Sequence, residues 1–181
     1  AVGTATFTMT VNQEMAAKFT VVDQSDKKFY QYSSSYQFIR TVPLNSNNTV
    51  AQGVTSNPTG SRFWVIDNDK KVYVYDQNGG FLGRWQANGI KNPEDITTDG
   101  TNLWIVAKAS NNGNGYRLYY FQGGASWTGS TGNGQPVSYS CTATYTLNSS
   151  NQNPVGLTYG KRTVTTANGP VVKEQLWVTD N

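Results

Sequence analysis

The chain contains 181 residues, enough for one sizeable domain or at most two small ones. Only 14% of the residues are charged and 13% are aromatic, a composition too poor in charge for a coiled coil and too rich in rings for a disordered chain. The net charge is +3 and the basic residues are scattered, which argues against nucleic-acid binding, and no apolar run approaches the length of a membrane span. Histidine is absent, which argues against imidazole catalysis and the usual zinc sites.

Residues 1–17 are predicted to form an N-terminal segment separate from the repeats, which cover residues 18–181. Within this unit, one alternating segment predicts a β-strand that belongs to no repeat of its own. Its residues are Thr6, Phe7, Thr8, Met9, Thr10 and Val11. Because the chain is poor in lysine and glutamate and rich in threonine, asparagine, glycine and serine, its composition favours an extracellular or cell-surface protein of bacterial type.

One strand pattern recurs four times after residue 17. Each copy begins with phenylalanine or leucine and continues with mostly apolar residues, and we call these copies the landmark strands. They are Phe19–Asp23, Phe63–Asp67, Leu103–Ala107 and Leu176–Asp180. Their starts lie 44, 40 and 73 residues apart, and self-similarity near such a period is typical of stacked repeat architectures.

Three further strands accompany the landmark strand in a complete unit. A second, aromatic strand follows it at 27–32, 70–75 and 116–121, and a third follows at 36–42, 81–86 and 139–147. A short strand precedes it at 52–55, 94–97 and 155–158. Turn pairs such as Asn78-Gly79 and Asp99-Gly100 provide the positive φ that tight hairpins need. Four strands in each unit predict an all-β fold built from propeller-type blades, with no convincing helix.

The repeat departs from this pattern towards its end. The last interval is too long, and the excess divides between a loop over Gly123–Gln135 and an extended hairpin over 162–178 that turns at Asn168-Gly169. The fourth unit also lacks its outer strands, which leaves about three and a half blades. Three arrangements therefore remain open: a small closed propeller, part of a longer chain, or a unit completed by another copy.

The segment from Asn92 to Val106 (NPEDITTDGTNLWIV), followed by an aromatic strand, resembles NHL-type propeller repeats of secreted bacterial proteins associated with PEP-CTERM sorting signals. Asn153–Thr158 (NPVGLT) and Lys70–Asp76 (KKVYVYD) fit the same pattern. The resemblance covers residues 18–181 and implies a β-propeller. It specifies a fold more than a function, because propellers serve as binding modules, scaffolds and enzymes.

Enzymes of related propeller type bear on the expected activity. Streptogramin lyases and amidating lyases depend on histidines that this chain lacks. Lactonase-type propellers hold a metal with Glu, Asn and Asp in a central channel, and none of Glu14, Glu94 and Glu174 aligns with such a site. A metal-dependent hydrolase is therefore a remote alternative, and no catalytic residue, metal or cofactor is predicted.

Aspartates recur at the end of three landmark strands, at Asp23, Asp67 and Asp180. Carboxylates gathered around an axis would bind a cation. Alternatively, each side chain accepts hydrogen bonds from the turn that follows it. Ala107 interrupts the series, which favours the turn interpretation.

The tryptophans divide into two groups. Trp64, Trp104 and Trp177 occupy equivalent landmark positions and are predicted to pack between blades. Trp85 and Trp127 fall outside that register, and Trp127 lies in a Gly/Ser-rich loop. Both are candidates for a sugar-binding platform, although anchoring of the loop is the more conservative interpretation of Trp127.

Two loop and strand features carry little chemistry. Asn111–Gly115 has neither a following helix nor a Gly-Lys-Ser/Thr sequence, so it is no phosphate loop; Asn111 and Asn112 are polar candidates for a binding surface. Cys141 is the only cysteine and lies in a strand-like alternation, which predicts a half-buried, unreactive thiol.

These observations favour a non-enzymatic interaction platform for a protein or carbohydrate ligand, extracellular or on the cell surface. The alternative is a self-assembling structural subunit of a filament or layer, completed by strand exchange. In that hypothesis the strand over residues 6–11 and the final landmark residues Leu176, Trp177 and Val178 form the contact, because an unpaired sheet edge is a template for another strand.

Overall fold

A computed structural model describes residues 18–109, 115–132 and 134–181. The described residues form an all-β structure with one short 3-10 turn (Gly124–Ser126) and no α-helix. The strands are β1 (Phe19–Asp23), β2 (Lys28–Tyr32), β3 (Phe38–Pro43), β4 (Ala51–Ser56), β5 (Arg62–Asp67), β6 (Lys71–Asp76), β7 (Phe81–Asn88), β8 (Ile90–Thr98), β9 (Leu103–Ala109), β10 (Tyr116–Phe121), β11 (Val137–Ser140), β12 (Ala143–Thr146), β13 (Pro154–Thr166) and β14 (Gly169–Asp180). The predicted all-β class is confirmed.

The strands form four small sheets in chain order. The first sheet is β1-β2-β3, and the second is the meander β4-β5-β6-β7 with β11 added in parallel to β7. The third sheet is β8-β9-β10-β12, and the fourth is the hairpin β13-β14. Apart from the β11 contact, all neighbouring strands are antiparallel, as expected for strands joined by tight turns.

The second, third and fourth sheets repeat one pairing between their first two strands. A register shift interrupts β4 before Gly53, β8 before Asp95 and β13 before Gly156. The three residues after each shift then pair in the same register with the landmark strand. These sets of pairs are Gly53–Ile66, Val54–Val65 and Thr55–Trp64; Asp95–Val106, Ile96–Ile105 and Thr97–Trp104; Gly156–Thr179, Leu157–Val178 and Thr158–Trp177. The sequence repeat is therefore a repeat of strand pairing.

A second recurring element precedes β4 and β13. The Asn45 side chain accepts a hydrogen bond from the Asn47 amide at 3.0 Å, and the Asn148 side chain accepts one from the Ser150 amide at 2.9 Å. Such local bonds explain the LNSNN and LNSSN stretches of the sequence, because asparagine side chains stabilise turns by bonding two residues ahead.

Two apolar cores lie between successive sheets. Phe29 and Val42 of the first sheet pack with Phe63 and Tyr75 of the second. The second core, between the second and third sheets, contains Trp64, Ile66, Trp85, Leu103, Ile105 and Phe121. β5 and β6 thus contribute alternate side chains to both cores, which is why β5 is buried along nearly its whole length.

One predicted strand is divided in the structure. The sequence predicts a single outer strand over 139–147, but this strand is interrupted at Cys141-Thr142. Residues before the break form the end of β11 and pair with the second sheet, whereas β12 pairs with β10 of the third. The stacking of Tyr139 on Trp127, at 4.1 Å between ring centroids, accompanies the attachment of β11 to the second sheet. The predicted hairpin at Asn168-Gly169 is confirmed, with Gly169 at φ 101°.

Candidate functional site

The first strands of all four sheets border one cleft with a volume of about 900 Å³. Backbone from β1, β4, β8 and β13 forms its walls, together with the loop that follows β4. The lining residues are Lys18–Val21, Val54–Pro58, Gly60, Thr97–Asp99 and Thr158–Lys161. A volume of this size is in the range of pockets that hold drug-sized or oligomeric ligands.

Equivalent threonines line the cleft in three sheets. Thr55, Thr97 and Thr158 each pair directly with a landmark tryptophan, so the repeated register brings the same hydroxyl to the same wall three times. Each hydroxyl is both a donor and an acceptor of hydrogen bonds. Thr97 is 5% exposed, so the hydroxyls that a ligand can reach are those of half-buried Thr55 and exposed Thr158.

Two aromatic residues also line the cleft, Phe19 and Tyr159. Phe19 stacks on Tyr36 at 5.3 Å between ring centroids, and Tyr159 stacks on Trp104 at 5.8 Å with the planes only 8° apart. A neighbouring ring supports each of them, which limits the side-chain entropy lost when a ligand binds. Lys18 and Lys161 lie on the same rim, and the Lys161 ammonium is 3.5 Å from Glu174 in an exposed ion pair.

The acidic residue on the cleft rim is held within its own turn. Asp99 accepts hydrogen bonds from the Thr101 and Asn102 amides, both at 2.7 Å, and from the Asn102 side chain at 2.8 Å. Partial burial opposes ionisation of Asp99, but these bonds outweigh it and lower the pKa of the carboxyl. Asp99 is therefore a fixed anion that shapes the turn.

Next to the cleft, side-chain hydrogen bonds join the third sheet to the fourth. The Leu157 amide donates to Asp95 Oδ2 at 2.6 Å, and the Tyr159 amide donates to Thr97 Oγ1 at 3.0 Å. Burial raises the pKa of Asp95 to about 6, although the amides of Leu157 and Ile96 favour its charged form. This junction sets the position of one cleft wall relative to another.

Of the predicted platform residues, Trp85 does not reach solvent. Its side chain is fully buried in the core between the second and third sheets, so its prediction as a binding residue is wrong. Trp127 is half-buried, stacks on Tyr139 and meets the Trp85 ring edge to face at 5.4 Å. These contacts support the anchoring interpretation of Trp127, because one face of the indole is already covered.

The other candidates divide between described and undescribed residues. Asn111, Asn112 and the strand over residues 6–11 lie outside the described residues. Leu176, Trp177 and Val178 belong to β14, which pairs with β13 alone among the strands of the described part. Leu176 and Val178 are half-buried and Trp177 is exposed. Cys141 is half-buried beside the core between the second and third sheets.

The predicted role in the following turn is confirmed for Asp23 and for Asp67, which accepts from the Asp69 amide at 3.0 Å. For Asp180 it is wrong, since its bonds come from residues before β13. Asp23 accepts from the Ser25 amide at 2.8 Å. Asp67 accepts from the Val50 amide at 2.9 Å, and Asp180 accepts from the Asn153 amide at 2.6 Å. The last two bonds are equivalent in the repeat, since each fixes the residue that precedes a first strand. Within the described part of the chain, no group of three His, Cys, Asp or Glu side chains is placed to hold a metal ion.

The predicted sites did not include the cleft. A signal for it was present in the recurring Gly-Val-Thr, Asp-Ile-Thr and Gly-Leu-Thr triplets, whose threonines all line it. Threonines at the same repeat position line one surface only if the sheets curve towards each other there. The periodicity within a strand cannot provide that curvature.

No known family model matches the chain, and no curated protein matches its sequence. Among the residues that the structure describes, there is no helix long and apolar enough to cross a membrane.

Proposed function

We propose that the protein is a non-enzymatic interaction module, extracellular or on the cell surface, whose four sheets are blades of an open β-propeller of NHL type. The cleft bordered by the first strands is its binding site. One observation carries the proposal: the repeat brings Thr55, Thr97 and Thr158 to the same cleft, which the rings of Phe19 and Tyr159 also line.

The chemistry of the cleft suits a polar, ring-containing ligand. Hydroxyl groups satisfy the donors and acceptors of a sugar, and aromatic faces pack against its C–H surface. An extended peptide could pair with β1, β4, β8 or β13, each of which is an edge strand of its sheet in the described part of the chain. The hydroxyl groups and aromatic faces of the cleft favour a glycan, and a peptide is the alternative ligand class.

The polar groups of the cleft support binding more than catalysis. A general acid needs a pKa near the working pH, whereas the pKa of Asp99 is lowered by three hydrogen bonds from its own turn. The cleft lysines, Lys18 and Lys161, lie at the rim, and Lys161 is paired with Glu174. Detection of hydrolase or lyase activity in the purified chain would contradict the proposal.

An array of immobilised glycans and peptides tests the ligand class. For the glycan that binds best, the double variant Thr55→Val and Thr158→Val should weaken affinity about tenfold, because two hydrogen bonds are lost without a large change in shape. Thr144→Val is the matched control, since Thr144 is exposed on β12 and does not line the cleft. Equal losses in the control and the double variant, or no glycan bound, would reject the site.

A self-assembling structural subunit is the second candidate function. The observation that favours it is β14, whose exposed surface includes Val171, Val172 and Trp177 and whose outer edge pairs with no strand in the described part of the chain. Exposed edges of this kind readily accept another strand. If assembly proceeds by exchange of the strand over residues 6–11, deletion of residues 1–11 should abolish it. Intact polymers after the deletion would reject exchange.

A further inference from the structure

The landmark strands have two distinct faces. Within β1, β5, β9 and β14, the first and third landmark residues point to one side of the sheet, and the second and fourth point to the other. We call the first side the leading face; its residues are Phe19 and Val21, Phe63 and Val65, Leu103 and Ile105, Leu176 and Val178. We call the other side the trailing face; its residues are Thr20 and Val22, Trp64 and Ile66, Trp104 and Val106, Trp177 and Thr179.

The apolar cores between successive sheets join a trailing face to a leading face. Val22, on the trailing face of the first sheet, packs in one core with Phe63 and Val65, on the leading face of the second. Trp64 and Ile66, on the trailing face of the second sheet, share the next core with Leu103 and Ile105, on the leading face of the third.

The same rule holds at the third junction. Trp104, on the trailing face of the third sheet, stacks on Tyr159. Tyr159 pairs across the hairpin with Leu176 and therefore lies on the leading side of the fourth sheet. Three junctions thus use one type of interface, with the sheets stacked in chain order.

At the two ends of this stack, no sheet among the described residues covers one face of each type. On the leading face of the first sheet, Phe19 is 40% exposed and Val21 is 54% exposed; the equivalent Phe63 and Val65 are at most 1% exposed. On the trailing face of the fourth sheet, Trp177 is 44% exposed, whereas the equivalent Trp64 is 1% exposed. The cleft lies between β1 and β13, so these two faces do not cover each other within the chain.

We propose that these faces bind each other between copies of the chain, with the trailing face of the fourth sheet on the leading face of the first sheet of a second copy. A second copy is the occupant because the chain itself supplies both halves of an interface that it already forms three times. The proposal rests on the self-assembly alternative above and gives it a different contact, the packing of two sheet faces in place of strand exchange. Since the two halves differ, the contact is heterologous and produces a closed ring or an open filament.

Solution mass over a range of concentrations is the first test. The intact chain should form ring oligomers or polymers whose mass rises above 19.8 kDa as the concentration increases. A monomer at every concentration would overturn the proposal. That result would leave glycan binding at the cleft untouched, so the two proposals fail separately.

Two charged substitutions then identify the faces. Val21→Asp places a charge on the leading face of the first sheet, and Trp177→Asp places one on the trailing face of the fourth. Each charge should prevent that face from packing against another copy, so each variant alone should remain monomeric. Mixed in equal amounts, they should form a one-to-one dimer and nothing larger, because each contributes its one intact face. Val172→Asp is the control: Val172 is 60% exposed on β14 but lies on the leading side, and this variant should assemble like the parent.

Other outcomes contradict the assignment. Assembly of Val21→Asp alone would overturn it and would favour strand exchange at the β14 edge. Monomeric mixtures of the two variants would also overturn it. Because both substituted side chains are already exposed, circular dichroism of each variant should match the parent, and a variant that fails this comparison is replaced by Phe19→Asp or Thr179→Asp on the same face.

Discussion

At the scale of single residues, close approach of the first strands explains one glycine. A Cβ atom added at Gly53 would collide with the Asp95 carboxylate and lie 2.9 Å from the Asp95 Cα. Gly53 and Asp95 occupy equivalent positions in two neighbouring sheets. At this position of the repeat, β4 and β8 approach each other so closely that only one side chain fits between them. That side chain belongs to Asp95.

Gly53→Ala should consequently destabilise the protein by about 1–3 kcal/mol, because the added methyl group forces β4 and β8 apart. Urea denaturation measures the change as a lower midpoint. Gly134→Ala is the matched control, since a methyl group added there would meet no atom within 4 Å, and it should change stability by less than about 0.5 kcal/mol. Similar effects of both variants would show that β4 and β8 are not in tight contact.

Asp95 itself should make stability depend on pH. Its pKa is raised from 3.8 to about 6 by burial, so the folded chain binds a proton more tightly than the unfolded chain. The stabilisation is complete below pH 3.8 and is lost as the pH rises through 6. A shift of this size corresponds to at most about 3 kcal/mol.

The measurement compares Asp95→Asn with the parent. Urea denaturation between about pH 4 and pH 7 should show the parent losing stability relative to the variant as the pH rises, because the amide does not titrate. The difference between the two chains removes the contribution of every other titrating group. Parallel pH profiles would show that Asp95 does not titrate in this range.

At the scale of elements, the loop between β10 and β11 is fixed by rings. Trp127 stacks on Tyr139 and contacts the edges of Trp85 and Phe121. The loop backbone adds a two-way hydrogen-bond pair between Arg84 and Ser130, at 3.0 and 2.9 Å. A segment rich in glycine and serine is thereby attached to the outer edge of the second sheet.

Trp127→Ala should therefore destabilise the protein by about 2–3 kcal/mol without weakening glycan binding at the cleft. Thermal or urea denaturation measures the first effect, and the glycan array measures the second. Tyr145→Ala is the control, because that ring is 55% exposed on β12 and its loss should cost little. Loss of glycan binding with unchanged stability would restore the sugar-platform hypothesis for Trp127.

Local patterns determined how far these elements could be predicted. The landmark strands, the hairpin at Asn168-Gly169 and the turn role of Asp67 follow from alternation and turn chemistry, both of which act over a few residues. The division of 139–147 between two sheets was missed, because β11 pairs in parallel with a strand about 50 residues earlier. The burial of Trp85 was missed for the same reason: partners from two sheets cover it, and residue spacing does not reveal them.

At the scale of the whole molecule, the four sheets differ in how well they are covered. The second and third sheets bury apolar side chains in a shared core, and the second also shares a core with the first. In the fourth sheet, only Pro154 and Leu157 are buried, and the remainder of the long hairpin is half-buried or exposed. Its attachment depends on the Asp95 and Thr97 hydrogen bonds and on the stacking of Tyr159 against Trp104.

The fourth sheet should thus be the first part of the monomer to open. Hydrogen exchange at low protein concentration is expected to be fastest in β13 and β14 and slowest in β5, β6 and β9, because free energies of local opening follow the buried contacts that opening breaks. Raising the concentration until copies associate should slow exchange in β14 and β1 together, since one contact covers both. Equal protection of all four sheets in the monomer would mean that the fourth is held by contacts stronger than these. If association slowed hydrogen exchange in β14 but not in β1, the copies would contact each other through the edge of β14 and not through the face of β1.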